Sequence, residues 1–169
     1  MPRTRAPKLG LTVQYASRAT GLPSRRQLRR WAAAALTQDA EVTLRIVGKP
    51  EGRRLNRDFR GKDYATNVLT FTYPGQRPLA GDIVLCAPVV RQEAGAQGVS
   101  LAAHYAHLVV HGILHLQGYD HEHAREAEVM ERLETEIVTR LGYPEPYAVQ
   151  ARNPGSLRRA LPATNGPSR

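Results

Sequence analysis

Three histidines crowd the stretch HGILHLQGYDH at residues 111–121. His111 and His115 are an i, i+4 pair, the spacing that lets two imidazoles on one helix converge on a single metal ion, as in the H-x-x-x-H of zinc hydrolases. Gly118 falls where a left-handed residue would end the helix and swing the chain back, so that His121 can return to the same point as a third ligand. Three protein ligands leave one position open, and water there on Zn2+ has its pKa drawn from about 16 toward about 7. The expected cofactor is one Zn2+ per chain, with nickel, copper and cobalt equally acceptable to three imidazoles.

His104 and His107 extend the same polar stripe along a helix that is otherwise apolar, with Leu108, Val109, Val110, Ile113, Leu114 and Leu116. Such a helix belongs in the core, where an unpaired ring nitrogen is costly. His107 with His111 repeats the metal spacing, and the later pair is favoured by its distance from the Gly118 turn. His104, His107 and His123 are read as hydrogen-bonded core residues. Metallopeptidases carry a glutamate after the first histidine of the motif. Here that residue is Gly112, which removes the usual proton acceptor and leaves room for a substrate backbone near the metal. Asp82 and Asp120 are carboxylates suited to orienting a ligand histidine from behind or to moving protons, with a turn or cap role as the competing reading.

The elements that must position these residues follow from periodicity. Residues 10–16, 41–48, 66–72 and 81–87 read as strands, the first at a sheet edge, with Val42, Leu44 and Ile46 alternating against Glu41, Thr43 and Arg45. Helices are expected over 22–36, 51–60, 88–97, 101–117 and 122–141. Ser24 with Gln27 forms a capping-box signature at the start of the first, and Met130, Leu133, Ile137 and Leu141 form the apolar stripe of the last. Helices and strands mixed without strict alternation predict an α+β fold, a small mixed β-sheet packed with helices.

A length of 169 residues suits one domain, expected over 10–147, between a basic N-terminal tail at 1–9 and a disordered basic tail at 148–169. Cys86 is the only cysteine, which excludes an intramolecular disulfide and a Cys-rich metal site and leaves the role of a small apolar core residue. No apolar run reaches bilayer-spanning length, so a cytoplasmic protein with no membrane partner is expected. The net charge of +9 is uneven, with eight Lys or Arg and no acid in residues 1–38. That asymmetry suggests a polyanionic partner. Arg25, Arg26, Arg29 and Arg30 share one helix face, which reads either as an RNA-binding patch or as a solvated surface. Aromatic residues are 6% of the chain, with no obvious base-stacking platform.

The stretch HGILHLQGYDH closely resembles the signature of the bacterial YbeY family of metal-dependent rRNA maturation endoribonucleases. A second stretch, FRGKDYATNVLTF at 59–71, is similar to that family's other hallmark, and GDIVLC and LETEI…LGY match in order over roughly residues 10–147. Ala65 and Thr70 depart from the proline and serine common in the family. The resemblance implies that His111, His115 and His121 are the metal ligands, that the metal site lies beside the long central helix, and that Arg60 is the functional arginine of the cleft. A planar guanidinium can donate two hydrogen bonds to the charge that builds on a phosphodiester during cleavage. The competing reading of Arg60 is a structural helix C-terminus, favoured by the dipole.

The resemblance further implies a single-strand-specific endoribonuclease in 16S rRNA 3′-end maturation and ribosome quality control. The implied partners are rRNA, the small ribosomal subunit, ribosomal proteins and a ribosome-assembly GTPase, and no DNA is expected. Two other readings compete. One is a zinc peptidase or other metal hydrolase, against which Gly112 argues. The other is a non-catalytic ribosome-assembly factor whose metal is structural and therefore closed by a fourth ligand such as His107 or His123.

Overall fold

The computed structural model describes residues 5–119 and 123–147. Along the chain run β1 (Leu9–Ala16), α1 (Arg25–Ala34), β2 (Ala40–Val47), α2 (Lys49–Arg60), β3 (Val68–Tyr73), β4 (Leu79–Cys86), α3 (Ala87–Gln97), α4 (Leu101–Leu116) and α5 (Ala124–Arg140). The strands lie in the order β1-β2-β4-β3, with β1, β2 and β4 parallel and β3 antiparallel to β4. This is the expected α+β arrangement on a small mixed sheet, with β1 at an edge.

Strand alternation divides the core between the two faces of the sheet. Val42, Leu44, Ile46, Ile83 and Leu85 pack with Leu28 and Trp31 of α1 and with Leu108, Val109 and Ile113 of α4. Val47, Leu69, Val84 and Cys86 form a second cluster with Leu55 of α2 and Phe71. Every residue from Ala103 to Leu114 is buried, which makes α4 the central helix. Each of its large apolar side chains stabilises the fold by about 1.5–3 kcal/mol relative to an exposed position. Glycine sets how closely α4 lies on the sheet. A Cβ on Gly112 would sit 3.0 Å from Ile83 Cδ1, and one on Gly81 would sit 2.6 Å from Leu116 Cδ2.

Where boundaries moved, a local reason is visible. α2 begins at Lys49 because Pro50 occupies its first turn, where no backbone N–H is required. β3 begins at Val68, whose N–H is taken by Asn67 Oδ1 at 2.6 Å, while Asn67 O accepts from Cys86 N at 3.0 Å. The Ser24–Gln27 capping box forms as predicted. The basic tail expected at 1–9 is pinned over its described part: Arg5 donates twice to Asp39 at 3.2 and 2.9 Å, and Lys8 N donates to Asp39 Oδ1 at 2.8 Å. The tail expected at 148–169 lies outside the described residues.

Candidate active site

Helix α4 is fixed at both ends. Ser100 caps its N-terminus, accepting from Ala103 N at 3.0 Å. At the other end Gln117 Nε2 donates to Ala35 O at 2.8 Å, and its Oε1 accepts from Thr37 N at 2.7 Å. Gly118 takes φ +101°, as the sequence required for a chain leaving the helix there, and Tyr119 N closes onto Leu114 O at 3.1 Å. The histidine stripe is thus held in one register against the sheet.

Three of its rings are buried, and each meets a carboxylate. His104 Nε2 lies 2.8 Å from Glu93 Oε1. His107 Nε2 lies 2.5 Å from Glu134 Oε1, and His111 Nδ1 lies 3.0 Å from Glu134 Oε2. Glu134, on α5, is 1% exposed and also accepts from the Tyr147 hydroxyl at 2.5 Å. Burial alone would oppose its ionisation. The electrostatic pull of His111 and the hydrogen bonds from His107 and His111 overcome that, holding its carboxyl well below the usual carboxylate range. Burial lowers the pKa of His107, so its ring is neutral and donates Nε2–H. Burial, reinforced by Glu134, pushes the Tyr147 phenol well above its usual range, which keeps it a donor.

This arrangement fits an imidazole metal site. An ionised Glu134 facing Nδ1 of His111 fixes the N–H there and leaves the lone pair on Nε2, the carboxylate-behind-histidine pattern of metal centres. His115 stands one turn on, half-buried, its ring centroid 6.3 Å from that of His111 and its plane turned by 85°. The expected third ligand, His121, and Asp120 lie outside the described residues. Among the described residues no three His, Cys, Asp or Glu side chains gather into a metal site by themselves.

The other candidates fall elsewhere. Asp82 sits on β4 between Gly81 and Ile83, which face α4, so its carboxylate points to the opposite side of the sheet. There it accepts a hydrogen bond from Tyr73. The carboxylate that supports a histidine is Glu134 instead. Gly112 faces Ile83, so its missing side chain makes room for the sheet and not for a substrate. His123, expected in the core, is the exposed N-cap of α5. On α1, Arg25 stacks over Tyr15 at 5.0 Å, Arg29 donates to Leu9 O at 3.0 Å and Arg30 to Leu141 O at 3.1 Å. Three of the four arginines therefore serve the fold itself. Cys86 is buried, and that burial raises its thiol pKa, as suits a core residue.

Arg60 is the last residue of α2, half-buried, with Nε and Nη2 shielded from solvent. Helix α2 packs on the face of the sheet away from α4, yet the segment after it is joined to the histidine helix. Asn67 Nδ2 donates at 2.9 Å to the same Glu93 Oε1 that meets His104. The 59–71 stretch and the histidine stripe are therefore parts of one hydrogen-bonded structure. Glu134, Glu93 and Asn67 were not among the residues expected from sequence. The available signal for Glu134 was its position on the buried stripe of α5, with Met130, Ile137 and Val138.

Comparison with known proteins bears on the whole assembly. The family model described as Endoribonuclease YbeY matches residues 22–142. Endoribonuclease YbeY of Nitrosomonas europaea is 60% identical over 158 residues, covering 89% of this chain and 96% of the relative. That of Aromatoleum aromaticum is 61% identical over 148 residues, covering 86% and 96%. The solution structure of TM1509 from Thermotoga maritima matches with a TM-score of 0.53 at 25% identity, covering 86% of this chain and 93% of that one. With both signatures tied together in one fold and the match extending over most of its length, the chain belongs to the endoribonuclease YbeY family.

Proposed function

We propose that this endoribonuclease cuts single-stranded RNA with the help of one metal ion held by His111, His115 and His121, in 16S rRNA 3′-end maturation and ribosome quality control in the cytoplasm. The small ribosomal subunit is then the setting in which it meets its substrate. The observation that carries the metal reading is the bond from His111 Nδ1 to a buried, ionised Glu134, with His115 one turn away. A bound Zn2+ supplies Lewis-acid stabilisation of charge on the phosphate. The chain's own residues do the rest. Glu134 holds the His111 ring in one tautomer and orientation, and the Gln117 and Gly118 bonds fix the end of α4 from which His115 projects. Arg60 donates hydrogen bonds to phosphate oxygens as negative charge accumulates there. Gly112, packed on Ile83, leaves that position without a proton acceptor, which favours phosphodiester over peptide chemistry.

The test is cleavage of a labelled single-stranded RNA carrying the 16S 3′ precursor sequence, with metal content measured on the same samples. His115→Ala should lose both metal and cutting. Arg60→Glu should keep its metal and lose about 100-fold or more in rate, the scale of one donor to a developing anion. Equal cutting by wild type and both variants would overturn the assignment.

A further inference from the structure

The chain contains two phenylalanines, and they are in contact. Phe71 of β3 is half-buried, and Phe59 of α2 rests edge-to-face on it with ring centroids 5.4 Å apart and planes at 72°. Phe59 is 65% exposed, the most exposed of the large hydrophobics among the described residues. Two others, Tyr64 at 50% and Tyr73 at 44%, fall within the same fifteen-residue stretch. A single exposed apolar ring is ordinary. This one is distinguished by how rigidly it and its neighbourhood are held.

Gly61, at φ +70°, ends α2, with its N–H on Arg57 O at 3.0 Å and Lys62 N on Asn56 O at 3.3 Å. The buried Asn56 side chain donates to Tyr64 O at 2.7 Å. Arg53 grips Asp63 through two bonds of 2.8 and 2.9 Å. A turn fixed in this way loses little further entropy when a ligand lands on it. It is also cationic: residues 49–64 hold six Lys or Arg against three Asp or Glu. Arg54 and Arg57 are exposed on the same helix, while Arg60, next to Phe59 in the chain, carries its Nε and Nη2 inward. Exposed aromatic faces interleaved with cations are what single-stranded nucleic acid requires, the rings taking bases and the cations taking phosphates. A paired base offers no such face, because duplex RNA keeps its bases stacked on one another.

We propose that Phe59, braced by Phe71, is a stacking platform for an unpaired RNA base next to the phosphate that Arg60 engages. The inference rests on the endoribonuclease reading and gives its preference for single strands a physical source. It adds a stacking surface where the low aromatic content had offered no obvious one.

Single-stranded RNA containing 2-aminopurine separates the possibilities. Its fluorescence, recorded on mixing with metal-loaded protein before cutting, should be quenched by wild type and by Phe59→Trp. Phe59→Ala and Phe59→Leu should lose the quenching and raise KM about tenfold, the scale of one base–aromatic contact. The leucine variant keeps apolar bulk against Phe71, so its failure with Phe59→Trp intact points to stacking and not to folding. Quenching and KM unchanged in Phe59→Leu would overturn the platform while leaving the nuclease in place. Wild type that neither binds nor cuts the RNA would overturn both.

Discussion

Three buried histidines along one face of α4 meet two carboxylates, and the two groupings end in different places. Near the N-terminus of the helix, His104 meets Glu93, whose other bond goes to the amide of Asn67 in the segment leading from α2 to β3. One and two turns later, His107 and His111 share Glu134, which also receives the Tyr147 hydroxyl. The Glu93 side chain is 14% exposed and that of Glu134 is 1% exposed. The first contact terminates in a neutral amide and ties one signature stretch to the other. The second terminates in an imidazole that has a further nitrogen to offer. The same chemical pair is thus a structural tie in one place and a positioning device in the other, and the group at the far end decides which.

Cutting each contact separately would break or sharpen that distinction. Glu134→Ala leaves two buried rings and a phenol without their acceptor, a loss of about 3–5 kcal/mol on the scale of disrupted buried pairs. It should also weaken zinc binding by about 10- to 100-fold, as expected when the carboxylate behind a ligand histidine is removed. Glu93→Ala should cost about 1–3 kcal/mol, the penalty for unsatisfied buried donors, with zinc affinity at the wild-type value. Urea unfolding and zinc titration with a competing chelator measure both quantities. Equal loss of zinc affinity in the two variants would erase the distinction.

Acid should act on the Glu134 cluster next most strongly. Glu134 is held below its ordinary 4.5, so it contributes stability that is complete above about pH 4.5 and is lost as the pH falls through its folded value. His107, lowered from 6.5 by burial, stays neutral in the fold while the unfolded chain takes up a proton, so stability begins to fall below about pH 6.5. Both effects have the same sign. The urea midpoint of metal-free protein should drop in two steps as the pH falls, one beginning below about pH 6.5 and one beginning below about pH 4.5, and Glu134→Gln should abolish the lower step and keep the upper. A midpoint independent of pH across that range would show that the cluster is not coupled to folding.

The histidine side of this cluster was legible in the sequence and the carboxylate side was not, for a physical reason. An i, i+4 spacing is a local property, so His111 and His115 declare their common direction as soon as the helix is recognised. Glu134 comes 23 residues after His111 on another helix, and only packing brings them together. It is also one of several glutamates on α5, where Glu126, Glu128, Glu131 and Glu136 are natural surface residues. The stripe expected there ran through Met130, Leu133, Ile137 and Leu141, whereas the buried positions are Met130, Glu134, Ile137 and Val138. Asp82 was legible only as a carboxylate able to orient a histidine, and strand parity turned it away from α4. Gly112 was legible as a departure from peptidase chemistry, but its packing on Ile83 required the sheet. The strands and helices themselves were nearly all legible, because alternation and 3.6-residue periodicity are written locally.

Tyr147→Phe is the mildest cut and the one that tests how Glu134 is shared. The hydroxyl gives the carboxylate one of its three bonds, at 2.5 Å to Oε1, the same oxygen that His107 meets. The ring itself lies edge-on to His107, with centroids 5.2 Å apart and planes at 82°. Phenylalanine keeps that packing and removes only the donor, so the expected loss of stability is about 1 kcal/mol. Oε2 still receives His111, so the tautomer of that ring is preserved and zinc affinity should change much less than in Glu134→Ala. Nitrogen-15 chemical shifts of the imidazoles read this directly, with the His111 proton remaining on Nδ1 in the variant. A proton that moves to Nε2 would mean that Tyr147, by fixing the carboxylate, controls the ligand as firmly as Glu134 does, and the positioning device would then extend to the start of the C-terminal segment.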